Sequence, residues 1–325
     1  MITSFLYKKG AQLETSLSRA GMLAAVQDKT SLLWVDFENA NDFEEEALVE
    51  IFNFHPLAVE DCIIDHPQPK IDDYGEYLFL VVHALAMRGA GEKAELGTIE
   101  LNIFIGSNYV VTFHRAPIAG VTQVKDLVQK KAQVLMGSTS DLLAHSLLDH
   151  LVDNYLPIIH EYDNRIDALE KHMFGNASKD YLQNLLQIKQ DIFMLRRIIA
   201  PQRDTLYYLT RNPGALIKTK NLMYFRDVYD HLVRIHGVAE GFHDTLNGIL
   251  QVYFSYASTK LNEVMKRLTV LATIAMPAMI IASLYGMNFR HMPELQWEHG
   301  YIFSIGLIFA TTIALLIWMK LKKWV

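Results

Sequence analysis

The rhythm of apolar and polar residues changes three times along the chain. Up to about residue 117, short apolar runs alternate with turn-forming residues, the pattern of mixed strand and helix. LLWVDF (32–37), YLFLVVHALAM (77–87), TIELNIFI (98–105) and YVVTFHR (109–115) predict strands, the last two joined around Gly106-Ser107-Asn108. Asn41 and Glu44 have capping-box spacing for a helix over NDFEEEALVEIF. His55-Pro56 opens a shorter helix, which Pro67 and Pro69 close. RGAGEKAELG (88–97) reads as a polar loop.

From about residue 119 the period becomes helical. Runs over 119–136 and 141–173 precede a break at Gly175-Asn176, and Ser178 can cap a further helix to about Arg211. Asn212-Pro213-Gly214 is a turn. The 141–173 run carries Asp149, Asp153, Glu161, Asp163, Asp167 and Glu170 among Leu and Ile, as a solvated face does. Beyond the turn no proline occurs until Pro277. There Phe225, Val228, Leu232, Ile235, Ala239, Phe242, Leu246, Ile249, Tyr253 and Tyr256 recur at alternating three-and-four spacing, a seam on one long helix. About 70 residues at ~1.5 Å each make a rod of roughly 100 Å. It runs without a stop signal into the third pattern.

That pattern is a pair of charge-free apolar runs, Leu268 to Phe289 and Tyr301 to Met319. Each is close to the ~20 residues a helix needs to cross ~30 Å of hydrocarbon. RHMPELQWEHG (290–300) joins them as a short loop. Lys260, Lys266 and Arg267 precede the first run, and Lys320, Lys322 and Lys323 follow the second. Basic residues at both outer ends place both termini in the cytoplasm and the loop outside. The domain expectation is a cytoplasmic α/β domain over 1–136, a helical region with the stalk over 137–264, and a hairpin over 265–325. Its spans fall at about 267–288 and 300–320.

Composition narrows the function classes. Mean hydropathy is only +0.11, so most of the chain is expected outside the membrane. The net charge of −6 argues against a nucleic-acid partner. One cysteine, Cys62, excludes a disulfide framework and fits a reducing compartment. MITSFLYKKG lacks the charge-then-apolar order of a cleavable signal. No phosphate-binding glycine loop or catalytic constellation stands out, so neither an enzyme nor an ATP-driven pump is expected. His83, His114 and Arg115 lie on strands and read as structural or surface residues.

Tyr285-Gly286-Met287-Asn288-Phe289 ends the first apolar run, and Met292-Pro293-Glu294-Leu295 follows in the loop. YGMNF followed by MPEL in a C-terminal hairpin resembles the CorA magnesium/cobalt transporter family. NEVMKRLTVLATIAMP (262–277), YFRDVYDH (224–231), PQRD (201–204) and HPLAVED (55–61) resemble family segments too, so the likeness covers most of the chain. It implies an α+β fold and a funnel-like homopentamer in the cell inner membrane, with the long helix innermost. One hairpin cannot enclose a water path; several copies can. Inward positions at three-and-four spacing are Asn262, Met265, Leu268 or Thr269, Ala272, Met276, Met279, Ser283 and Gly286. Met265 and Leu268 suit a constriction that closes by dewetting.

Mg²⁺ dehydrates reluctantly, so neutral oxygens of Asn288 and the Gly286 and Met287 backbone suit a filter that holds the ion through its waters. Tyr285 belongs to the same motif. In the loop, Glu294 and Glu298 attract cations, whereas Arg290, where the family often has an acid or neutral residue, opposes them. The resemblance also implies regulatory Mg²⁺ bound between subunits, with Asp227 and Asp149 as ligands. The family's partner acids fall near Met87-Arg88-Gly89, basic or neutral here, with Glu92 or Glu95 as substitutes. The function expected is passage of Mg²⁺, and of Co²⁺ or Ni²⁺, gated by internal Mg²⁺. Two alternatives stay open: a zinc-transporting relative, to which His145, His150, His160, His231, His236 and His243 are open, and a membrane-anchored coiled-coil scaffold.

Overall fold

A computed structural model describes residues 1–64, 68–89, 94–173, 179–288, 290, 292–322 and 324, without the side chains of residues 42, 43, 179, 294 and 295. The expectations placed on Pro67, Gly175-Asn176 and Ser178 lie outside the described residues. The chain divides into two compact units, Met1–Ile249 and Leu250–Val325.

The first unit is built on a sheet of β1 (Ile2–Lys8), β2 (Glu14–Thr15), β3 (Ser31–Glu38), β4 (Lys70–Asp73), β5 (Tyr77–Arg88), β6 (Glu95–Gly106) and β7 (Tyr109–His114). The strand order is β2-β1-β3-β7-β6-β5-β4. β3 and β7 pair in parallel, and the other neighbours are antiparallel. Central strands buried on both faces are apolar without alternation, which explains LLWVDF and YVVTF. On one face Leu33, Val35, Phe37, Phe79, Phe104 and Phe113 join side chains of α1 (Arg19–Gln27), α2 (Asp42–Glu50) and α3 (Pro56–Ile63) in one core. The expected capping box of α2 forms: Glu44 N–H donates to Asn41 Oδ1 at 2.9 Å, and Asn41 N–H to Glu44 Oε2 at 3.1 Å. Pro56 is the first residue of α3, as expected.

The opposite face packs against α5 (Ser140–Asp153), α6 (Tyr155–His172) and α7 (Lys179–Arg211), with α4 (Ala119–Leu135) lying on α5. The run expected over 141–173 is two helices, parting at Asn154. Pro157 explains the break: it has no N–H for the Asp153 carbonyl, and its ring crowds that carbonyl. β1, β2, α1 and β4 were not separately legible in the sequence; β2 has only two residues, β4 is an edge strand, and both β1 and β4 carry mixed polar positions.

A buried polar lock joins the helices to the sheet. Gln202 Oε1 accepts from the His83 N–H at 3.0 Å, Gln202 Nε2 donates to Tyr155 Oη at 2.8 Å, and Tyr155 Oη donates to the His83 carbonyl. PQRD therefore serves the fold through its glutamine.

The long helix α8 spans Leu222–Tyr285 and continues through Pro277. Phe225, Val228, Leu232, Ile235, Ala239, Phe242, Leu246 and Ile249 are its buried residues, the seam expected from spacing; Tyr253 and Tyr256 are only half-buried. In the second unit α9 spans Gly300–Leu321. Both α8 and α9 contain segments long and apolar enough to cross a membrane.

The Gln202 lock gives a stability prediction. Gln202→Leu leaves the buried His83 N–H without its acceptor, a loss of about 1–3 kcal/mol. The thermal unfolding midpoint of the detergent-solubilised full chain is expected to fall by several degrees; an unchanged midpoint would show that the lock is not stabilising.

Candidate functional site

The second half of α8 has two unlike sides. Val270, Thr273, Ile274, Pro277, Ala278, Ile281 and Tyr285 are half-buried. Ser304, Ile305, Ile308, Thr311, Thr312 and Leu315 form the equivalent stripe on α9, ending at buried Met319. The positions expected to line a pore, Asn262, Met265, Leu268, Ala272, Met276, Met279, Ser283 and Gly286, are all exposed. At 3.6 residues per turn they lie on the side of α8 opposite the half-buried stripe. Met276 and Met279 are 58% and 69% exposed, too open for packing within one chain.

The GMN segment sits where α8 stops. Gly286 N–H still donates to the Ala282 carbonyl at 3.0 Å, and Met287 N–H to the Leu284 carbonyl at 3.4 Å. A Cβ on Gly286 would stand 3.2 Å from the Ala282 oxygen, so a glycine suits this tight last turn. Asn288 follows outside the helix and is exposed. Carbonyls at a helix C-terminus carry roughly half a negative charge in sum, which favours a cation there. Arg290 is exposed in the loop, as is Glu298. Glu294 lies in a short 3-10 turn, Pro293–Gln296, but its side chain is outside the described residues, as are Phe289 and His291. At the other end of this unit, Lys322 and Trp324 share one hollow with Asn262, Met265 and Lys266, so basic residues from both ends of the hairpin meet there.

In the first unit, α5 and α8 bring Asp149 and Asp227 together with His231. One ligand atom from each lies within 4.8 Å of the others. His231 Nε2 is 3.9 Å from Asp227 Oδ2, and its Nδ1 is 3.9 Å from Asp153 Oδ1. Burial pushes the neighbouring His145 imidazole below its ordinary pKa, partly countered by the charges of Asp149 and Asp227. The two acids are expected from the family resemblance, whereas His231 is expected only as one of six histidines open to zinc. Its i, i+4 spacing from Asp227 puts both on one helix face and was the available signal. At the β5–β6 end, the place expected for partner acids, Arg88 pairs opposite Glu95 in the ladder and lies over Gly97. Glu92 is outside the described residues.

The profile of the CorA-like Mg2+ transporter protein family matches residues 29–323. The chain belongs to this family. A CorA relative, the cobalt/magnesium transport protein of Thermotoga maritima, is 33% identical over 299 residues, covering 92% of this chain and 85% of the relative. The complete structure of the CorA magnesium transporter from Methanocaldococcus jannaschii matches with a TM-score of 0.82 at 18% identity, covering 99% of this chain and 98% of that one. Full-length CmaX matches with a TM-score of 0.78 at 17% identity, covering 98% and 97%. The CorA architecture therefore holds over the whole chain: an N-terminal α/β domain, a long helix and C-terminal apolar helices.

Proposed function

We propose that this CorA-family chain is one subunit of a homopentameric channel for hydrated Mg²⁺, also passing Co²⁺ or Ni²⁺, in the cell inner membrane with both termini cytoplasmic. The observation that carries the reading is the uncovered face of α8. An apolar stripe with polar ends, Asn262 and Ser283–Gly286, stands opposite the half-buried side, and a central path forms when copies turn these stripes inward. Asn288 and the carbonyls of Gly286 and Met287 then form the filter, beside Tyr285. Met265 and Leu268 form the dewetting gate. Binding of hydrated ions by neutral oxygens at a helix C-terminus suits Mg²⁺, which keeps several of its waters. The names of the Thermotoga and Methanocaldococcus relatives, which mention magnesium and in one case cobalt, support the ion choice.

Regulation is assigned to Asp149 and Asp227, with His231 beside them. Mg²⁺ bound there favours the closed state by its differential affinity for that state, with a coupling of ~1–3 kcal/mol. Zinc transport and a scaffold without transport are the competing readings, and a proteoliposome flux assay with Mg²⁺, Co²⁺ and Zn²⁺ separates all three.

Asn288→Ala removes the amide acceptors and is expected to cut divalent-ion uptake at least tenfold while pentamer assembly survives; full uptake by well-expressed protein would remove Asn288 from the filter. In patch recordings, Asp227→Ala and Asp149→Ala are expected to keep conducting at internal Mg²⁺ levels that shut the wild type. Three superimposable inhibition curves would make these acids plain surface charges. For topology, a reporter fused after Val325 should be reachable only from the cytoplasm, and labelling from outside would reverse the assignment.

A further inference from the structure

A second group of metal-type side chains lies in the first unit, on β3, β7 and α4, and the transport reading gives it no role. Asp36 and Glu38 are two residues apart on β3 and so share a sheet face. Glu38 is opposite His114 in the parallel ladder, and Asp36 is opposite Thr112. One ligand atom each of Asp36, Glu38 and His114 lies within 4.8 Å of the others. Asp36 is fully buried and His114 is 1% exposed. Strand residues this deep are ordinarily apolar, so a carboxylate and an imidazole together need a cation or a proton to balance them.

The imidazole has a defined orientation. His114 Nδ1 is 2.7 Å from the Ala116 carbonyl oxygen, which can only accept, so Nδ1 carries the proton. Nε2 points at Asp36, 3.2 Å from its Oδ1, yet is buried without a hydrogen-bond partner. In the neutral ring two acceptors thus face each other. Thr112 Oγ1 donates to Asp36 Oδ1 and is itself the acceptor of the Trp34 indole N–H at 3.1 Å, so the carboxylate is fixed from behind. A histidine whose far ring nitrogen donates to a backbone carbonyl, with the near nitrogen among carboxylates, has the usual arrangement of a metal ligand. Lys125, from α4, supplies the cation in this structure. Its Nζ is 2.5 Å from Asp36 Oδ2 and 3.4 Å from Glu38 Oε2. Its side chain is 14% exposed, so it has a route outward.

We propose that Asp36, Glu38 and His114 bind a divalent transition-metal ion of the Co²⁺, Ni²⁺ or Zn²⁺ class, and that the Lys125 ammonium fills the position when the metal is absent. One imidazole nitrogen with two carboxylates suits these ions, whereas Mg²⁺ favours oxygen ligands and retained water. The metal bridges β3 and β7, the parallel pair, and releases Lys125 to solvent. The site is separate from Asp149, Asp227 and His231, which share no residue with it.

The test is Co²⁺ retention by the detergent-solubilised full chain in equilibrium dialysis, with excess Mg²⁺ to occupy sites that prefer hard ions. Wild type, Asp227→Ala, His114→Gln and Lys125→Gln are compared. The site predicts retention in wild type and in Asp227→Ala, about tenfold or greater weakening in His114→Gln, and about tenfold tightening in Lys125→Gln, where the competing ammonium is gone. Co²⁺ should also raise the unfolding midpoint of Lys125→Gln more than that of wild type. If His114→Gln fails to fold, Lys125→Gln decides alone. Lys125→Gln that gains neither Co²⁺ affinity nor Co²⁺-dependent stability overturns the proposal and leaves a buried ion network only. Retention lost in Asp227→Ala and unaffected by His114→Gln overturns it equally, by placing the ion at the other cluster.

Discussion

The apolar stripe from Phe225 to Ile249 is the contact on which the placement of the other functional groups depends. It fixes the rotation of α8 about its own axis. Because Asp227 precedes Val228 and His231 precedes Leu232, burying the seam sets both polar side chains at its margin, facing Asp149 across the groove to α5. A helix turned by one residue, ~100°, would keep some apolar contact and scatter this group. The seam is thus a register device as well as a source of burial. Its cost is that α8 carries few polar residues on the buried side to specify one register against another, so the fit of Phe225 and Phe242 must do so.

Much of this was legible in the sequence because the signals are periodic and long. The seam showed as heptads, the spans as runs without charge, and the capping box of α2 as Asn41 and Glu44 at the right spacing. The parallel pairing of β3 with β7 was not legible. Nothing in LLWVDF or YVVTFHR names its partner, and pairing is decided by which faces the helices cover. The break at Asn154 was signalled by Pro157 but outweighed by helical spacing on both sides of it. At the group of Asp149, Asp227 and His231 the two acids came from resemblance, while the histidine needed the helical face to be drawn. The group on Asp36 was hidden more deeply. Its members are distant in sequence, and a histidine on a strand is ordinarily a packed or surface residue.

The two units satisfy opposite demands with the same helix. Up to Ile249, α8 hides its apolar residues and shows charge. Beyond it, Leu268, Leu271, Met276, Met279 and Ile280 are all more than half exposed. That is a surface water would not tolerate over such an area, and it is stable only with lipid or copies of the chain around it. Apart from one carbonyl, the helix also keeps its backbone groups paired within itself, the condition for entering hydrocarbon. Pro277 lacks an N–H, which leaves the Thr273 carbonyl without its helical donor. Thr273 itself donates its hydroxyl to the Thr269 carbonyl at 2.8 Å.

The lock between Gln202 and His83 has a consequence for the order of synthesis. The sheet is not finished when its last strand leaves the ribosome: β5 waits for a side chain that follows 119 residues later. The seam likewise closes only once Ile249 has appeared. At ~5–20 residues per second, helices α4 to α7 take several seconds to emerge, and through that interval the half-covered sheet presents Leu78, Leu80 and Leu101 to the cell. The apolar spans come last. The first unit therefore has all its parts before the apolar spans of α8 and α9 are complete, and the nascent chain is most open to misassociation while the β5 face is still bare.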